Sequence, residues 1–344
     1  MNCKKMLKHL ALVLAGAMIL PAFAPADIKM GVILGFTGPI ESLTPDMGGS
    51  AEVAFKEASD SGLLLGGQKI VSVRADSTCI DNAAATAAAE RLVTAEKVAG
   101  IMGADCSGVT TAVANNVAVP NGVPMISPSA TSPALTTIAD NGYFFRTAPS
   151  DARQGQVLAA ITVERGITSV AVTYVNSDYG KGLSDSFGKA FQALGGTVTI
   201  SVPHETGKAD YSAEVASMDS AGGDAMAVFG YVNQGGPGIM QASLDSGSFD
   251  KFILADGMYG DDLLTNVEGD LTGTFGTVPG TDSKGAATYA DMANAAGLKG
   301  SGPFTGESYD AAALLILAMQ SAGSTDGAAI ASNVMGVANA PGEK

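Results

Sequence analysis

The chain has 344 residues, 46% of them hydrophobic, with 34 acidic side chains against 19 basic ones and a formal charge of −15. So acidic a balance offers no basic face to the phosphates of a nucleic acid. The length suits two lobes or domains, and no apolar run is long enough to cross a membrane.

Lys4, Lys5 and Lys8 precede the short apolar run "LALVLAGAMIL", and Ala24 and Ala26 occupy the small positions of an A-x-A cleavage site. Residues 1–26 therefore read as a secretory signal peptide, with Asp27 as the new N-terminus. Cys3 lies too early for a lipoprotein cysteine, so the expected product is soluble. Losing the three lysines takes the formal charge from −15 to −18. Cys79 and Cys106 remain. In an oxidising compartment such a pair usually bridges, and closing this loop contributes about 3 kcal/mol in the chain-entropy model. Without supporting histidines the two make a poor metal site.

Strand and helix signals then alternate. "IKMGVILG" (28–35) reads as a strand, 48–60 as a helix, 69–76 as a strand, 82–97 as a helix and 98–103 as a strand. A helix over 107–119 leads to a strand at 123–127. After "YFFRTAPSD" the rhythm restarts: helix 152–164, strand 168–176, helix 179–194 and strand 196–202. A helix near 211–221 precedes strand 224–231, and one near 237–246 precedes strand 251–256. Residues 273–280 are extended, and helices near 284–296, 307–321 and 327–337 follow. "AAALLILAM" reads as a buried helical stretch within the second of these. Short strands alternating with helices imply parallel sheets, and two such series imply two doubly wound α/β lobes.

In such sheets ligands sit beyond the carboxyl ends of the strands. Those ends carry Asp105-Cys106-Ser107, the turn "SPSATSP" with Ser129, Ala130 and Thr131, then "SDYG" with Tyr179, then Tyr231 and Asp256. Ser107 is placed to cap the helix that begins there, beside free backbone N–H groups that suit a small carboxylate. Ser129 and Thr131 offer hydroxyls to the same anion, Asp256 a partner for an ammonium, and the tyrosines ring faces for it. Singly, Ser107 is an ordinary N-cap, Asp256 a turn aspartate before Gly257, and each tyrosine a half-buried core residue. Together they describe an α-amino-acid site. Catalysis has little support. His204, the one histidine after residue 26, looks like an exposed strand exit, and there is no G-x-S-x-G elbow, metal-spaced histidine cluster or Walker loop. "GYVNQGGPG" reads as a loose strand-to-helix turn, and Asp261-Asp262 as helix-start acids.

"IKMGVILGFTGPI", "GADCSG", "VPMISPSATSPALT", "YFFRTAPSD", "NSDYGKGL", "GKADYSAEV" and "SYDAAALL" occur in an order and spacing that cover nearly all of 27–340. In this the chain resembles the periplasmic leucine/isoleucine/valine-binding proteins of ABC transporters, which are type I periplasmic binding proteins. The resemblance implies a disulfide between Cys79 and Cys106. It implies a ligand carboxylate held by Ser107 and by Ser129, Ala130 and Thr131, tyrosine walls at Tyr179 and Tyr231, an ammonium partner at Asp256 and a pocket ring at Phe304. It further implies two Rossmann-like lobes joined by a multi-strand hinge, with lobe 1 at 27–147 plus 278–340 and lobe 2 at 148–277. Expected with it are a periplasmic location, an amino-acid ligand, ABC permease partners, a monomeric state and no cofactor. The chain departs from the family pattern at Asp105, where an apolar wall can stand, at Leu43, where an aromatic is common, and at Asp256, where glutamate is frequent. Asp105 is thereby a candidate ligand contact, and an unpaired carboxylate there disfavours an aliphatic side chain; it also suits a place in solvent or at the helix cap. Family chains usually continue past "APGEK" and cross back, so either 341–344 is the start of a truncated third crossover or that crossover is absent, which would weaken the hinge. Two other functions fit the same fold less directly: a ligand-sensing receptor module for an amide or polar amino-acid-like compound, and an exported amidase.

Overall fold

The computed structural model describes residues 26–339. Apart from Ala26, the expected signal segment lies outside the described residues, as does the expected third crossover at 341–344.

The first lobe is a parallel sheet of β1 (Ile28–Leu34), β2 (Ile70–Asp76), β3 (Ile101–Gly103), β4 (Met125–Ser127) and β5 (Phe144–Arg146), in the order β2-β1-β3-β4-β5. Register is fixed by pairs such as Ile28 with Ile70, Gly31 with Ile101 and Met125 with Phe144. The second lobe repeats the plan with β6 (Ser169–Val175), β7 (Thr197–His204), β8 (Ala225–Phe229), β9 (Phe252–Leu254) and β10 (Phe275–Gly276), ordered β10-β9-β8-β6-β7. All pairings are parallel. Central strands covered by helices on both faces lose the polar alternation of a half-exposed strand. Accordingly every residue of "AMAVF" in β8 is buried, as is all of β1 except Lys29.

The helices are α1 (Thr44–Ser61), α2 (Asn82–Glu90), α3 (Ser107–Val113), α4 (Asp151–Glu164), α5 (Asp178–Ala193), α6 (Ser212–Ala221), α7 (Gly236–Ser246), α8 (Asp261–Asn266), α9 (Lys284–Ala295), α10 (Thr305–Ala322) and α11 (Gly327–Asn339). Short polar residues start several of them by accepting orphan backbone N–H groups. Asp81 takes those of Ala83 and Ala84, Ser150 that of Ala152, and Ser283 that of Ala286. Helices α4 and α5 touch closely because Gly155 has no side chain: a Cβ there would stand 2.6 Å from the Phe187 amide. One core cluster joins β1, α1, α10 and α11, including Met30, Phe55, Leu315 and Val334. "AAALLILAM" is thus the partly buried body of α10, with Ala311, Ala312 and Leu315 inside and Leu317 exposed.

Several boundaries differ from the sequence reading. The helix expected from Gly48 begins at Thr44, with Pro45 in its first turn, a position where the missing N–H costs nothing. The strand expected over 98–103 pairs only from Ile101, and β5 was not expected at all. The helices expected over 82–97 and 107–119 each loosen into a π-turn, at Arg91–Ala95 and Ala114–Ala118. His204 is not an exposed strand exit. It is buried at the end of β7, its Nδ1 2.9 Å from the Thr173 hydroxyl, in space left by Gly230 and Gly235. Burial pushes its pKa down to about 4, so the ring is neutral.

Among the described residues, two irregular connections, 147–150 and 277–283, run between the lobes. Gln154, just inside α4, ties them: its Nε2 donates to the Thr277 carbonyl at 3.0 Å. Across the gap between lobes, the Asn233 N–H donates to the Pro39 carbonyl at 3.0 Å and the Ser42 hydroxyl to the Asn233 Oδ1 at 2.9 Å. The Asn233 amide is steadied by its own bond to Asp262, at 2.6 Å. Among the described residues no helix is long and apolar enough to cross a membrane.

Candidate functional site

The strand ends of both sheets face one small cavity between the lobes. Asp105, Ser107 and Ser129 reach it from the first lobe, Tyr179, Tyr231 and Asp256 from the second, and Phe304 from the start of α10. Ala130 and Thr131 stand just behind this lining rather than in it, both buried. Ile40, Leu43 and Met47 add an apolar wall that the sequence reading had not assembled.

At one end, the Cys79–Cys106 disulfide forms, with Cα atoms 5.1 Å apart, and fixes the loop after β2 to the start of α3. Ser107 is not the N-cap expected of it. Cys106 takes that position with extended φ/ψ, and Ser107 is the first helical residue. Its hydroxyl is free of capping work and accepts the Ser132 N–H at 3.1 Å. Asp105 is neither solvent-facing nor unpaired. It is 1% exposed, and its carboxylate accepts the Gly35 N–H at 2.5 Å, the Ser77 hydroxyl at 2.9 Å and the Cys106 N–H at 2.9 Å. Burial still raises its pKa, with those donors pulling the other way. The Ser129 hydroxyl donates to the Asp105 carbonyl at 3.2 Å, joining the two turns. Arg146 holds the second turn from behind, donating to the carbonyls of Ala130 at 3.1 Å and Ser132 at 2.8 Å. The Thr131 hydroxyl has no partner.

At the other end, the rings of Tyr179 and Tyr231 stack with centroids 5.4 Å apart. Asp256 opens a tight turn after β9 and lies 3.4 Å from the Tyr179 hydroxyl, which accepts the Gly257 N–H at 3.2 Å. Gly257 must be glycine-sized, since a Cβ would come within 2.5 Å of the Gly230 carbonyl and 3.0 Å of the Tyr179 hydroxyl. Burial pushes Asp256 up to about 6. Beside it is a residue the sequence reading passed over, Asp151, the first residue of α4. It is fully buried, and neither carboxylate oxygen has a hydrogen-bond partner. Burial, reinforced by the neighbouring Asp256 charge, raises its pKa well above the usual carboxylate range, with the nearby Thr131 hydroxyl and Arg146 charge pulling the other way. The only sequence signal for it was its place in "YFFRTAPSD", where it reads as a helix-start acid. Burial likewise raises the phenol pKa of both tyrosines, keeping them protonated.

The arrangement has a chemical polarity. One end presents hydroxyls and N–H groups near a helix start; the other presents two carboxylates and two ring faces. Among the described residues, no group of three or more potential ligands is placed to hold a metal ion.

Comparisons with known proteins agree with this plan. A family model described as periplasmic binding protein matches residues 27–340. The Leu/Ile/Val-binding protein homolog 1 of Brucella abortus (strain 2308) is 30% identical over 318 residues, covering 91% of this chain and 83% of its own. A leucine binding protein from Thermotoga maritima superposes with a TM-score of 0.76 at 26% identity, over 89% of this chain and 87% of the other. A branched-chain amino acid transporter substrate binding protein from Streptococcus pneumoniae, solved with isoleucine, gives 0.75 at 26% identity, over 90% and 87%.

Proposed function

The chain belongs to the periplasmic binding protein family, and from that premise we propose that it is the substrate-binding protein of an ABC importer. In this reading it is exported to the periplasm, captures a small amino acid between its lobes and presents the closed form to a membrane permease. It carries no cofactor and makes or breaks no bond.

The observation that carries the ligand class is the buried acid pair. A carboxylate stripped of water, with only the Thr131 hydroxyl and the Arg146 charge nearby, is costly, and a second carboxylate beside it adds repulsion. A ligand ammonium between Asp151 and Asp256, under the rings of Tyr179 and Tyr231, removes both costs. The ligand carboxylate then falls to the hydroxyls of Ser107 and Ser129, which line the cavity. Its side chain lies against Ile40, Leu43, Met47 and Phe304. Asp105, already holding three donors, leaves that wall effectively apolar, which favours a branched-chain or other short aliphatic side chain. The isoleucine and leucine named for the two solved relatives fit the same chemistry.

The lobes in this reading are 27–147 plus 278–340 and 148–277, turning on the two connections that Gln154 bridges. Ligand binds one lobe and the other swings over it. A thermal-shift screen of residues 27–344 against the common amino acids tests the reading. A ligand at 100 times its dissociation constant adds about 2.7 kcal/mol. The expected result is a rise with one or a few zwitterions, lost with the matching amine or the matching acid alone. A protein whose melt no amino acid moves would refute the reading.

A further inference from the structure

Phe304 lines the ligand cavity and also lines a second, wider groove. The groove runs past the connection at Val278 and Pro279, between Tyr259 on the second lobe and Tyr289 on α9. Among the described residues Phe304, only 5% exposed, is the one that lines both spaces.

Its backbone is unusual. Phe304 has φ 59° and ψ 7°, the left-handed region that a residue with a side chain enters at a cost. Local bonds fix it there: its carbonyl accepts the Ser308 N–H at 2.9 Å and the Ser308 hydroxyl at 2.8 Å, and Thr305 donates to the Gly302 carbonyl at 2.8 Å. A glycine would meet the backbone requirement without strain. The structure keeps a large ring instead, on a fixed helix start, at the apolar end of the cavity. On the far side of the ring are the exposed faces of Tyr259 and Val278, apolar surface with room beside it.

We infer that Phe304 sets the length limit of the ligand side chain, and that removing its ring joins the cavity to the groove so that longer side chains bind. The inference rests on the amino-acid reading above and adds a specificity-determining residue to it. It differs from a plain core role, in which losing the ring weakens every ligand in proportion and leaves their ranking untouched.

The test is isothermal titration of residues 27–344 with the linear series from L-alanine through L-norvaline and L-norleucine to L-2-aminooctanoate. The wild type is compared with Phe304→Gly, which suits the left-handed backbone, and with Phe304→Leu. In the wild type, affinity is expected to rise along the series and then fall at least 100-fold over one or two added carbons. In Phe304→Gly that break moves at least two carbons further, and in Phe304→Leu it moves less. Melts followed by circular dichroism check folding; should the glycine variant not fold, the leucine variant and the wild-type break carry the decision. A wild type without a break, or a break at the same length in a folded variant, overturns the inference. Binding confined to amino acids outside the series also overturns it, while leaving the amino-acid reading standing. If no amino acid binds the wild type, the parent reading itself has failed.

Discussion

The two ends of the cavity are built on opposite principles. At the Asp105–Ser107 corner nearly every polar group has a partner: a disulfide, three donors to one carboxylate, and an arginine holding the facing turn. At the Asp151–Asp256 end, two carboxylates share a dry space, and Asp151 is relieved only by the nearby Thr131 hydroxyl and the charge of the same Arg146. The first end is complete without a ligand. The second is complete only with one, so discrimination and the drive to close should be concentrated there.

The sharpest break of that contrast is Asp256→Asn. It should weaken the best amino-acid ligand at least about 100-fold, as removing one partner of a buried charge pair does. It should also raise the melting temperature of the unliganded protein, because the repulsion with Asp151 disappears. Titration and calorimetry on one sample read both effects, and a variant that loses affinity and stability together would contradict an unsatisfied acid pair. Next in size is the disulfide at the finished end. Replacing Cys79 and Cys106 together by alanine should cost about 3 kcal/mol in urea unfolding. Ligand selectivity should hold among the molecules that remain folded.

Acidity separates the ends more gently. A ligand ammonium needs Asp256 ionised, and burial has pushed that group up to about 6. Affinity should therefore be flat above about pH 7 and fall by up to about tenfold per unit below about pH 6. His204, pushed down to about 4, stays neutral through that window and does not confuse it. Titrations at pH 8, 6 and 5 check the slope, and affinity that improves on acidification would contradict it. The smallest effect belongs outside both ends, at the gap between lobes. Asn233→Ala removes the side-chain bond to Ser42 and should cost about 1 kcal/mol of ligand affinity, seen as faster release in stopped-flow measurements.

Much of the molecule was readable from its residues. The apolar runs of β1 and β8 and the capped starts of α2 and α4 are local signals, and the strand-end rule led to Ser107, Tyr179, Tyr231 and Asp256 together. What was not readable depends on segments distant in the chain. The donors to Asp105 come from Gly35, Ser77 and Cys106, so its environment is set by three turns meeting. His204 sits in a polar stretch and is buried only because two glycines in another loop leave room for the ring. Asp151 looks like any acid at a helix start, and its isolation arises where the crossover meets the second lobe. In each case the residue type was visible and the surroundings were not.

The bond from Gln154 to Thr277 has a mechanical meaning. Gln154 lies in the helix that follows the first connection and Thr277 opens the second, so the bond pins the roots of the two together at one edge of the second lobe. Roots held side by side in this way move as one, and bending is left to the free stretches 147–150 and 278–283.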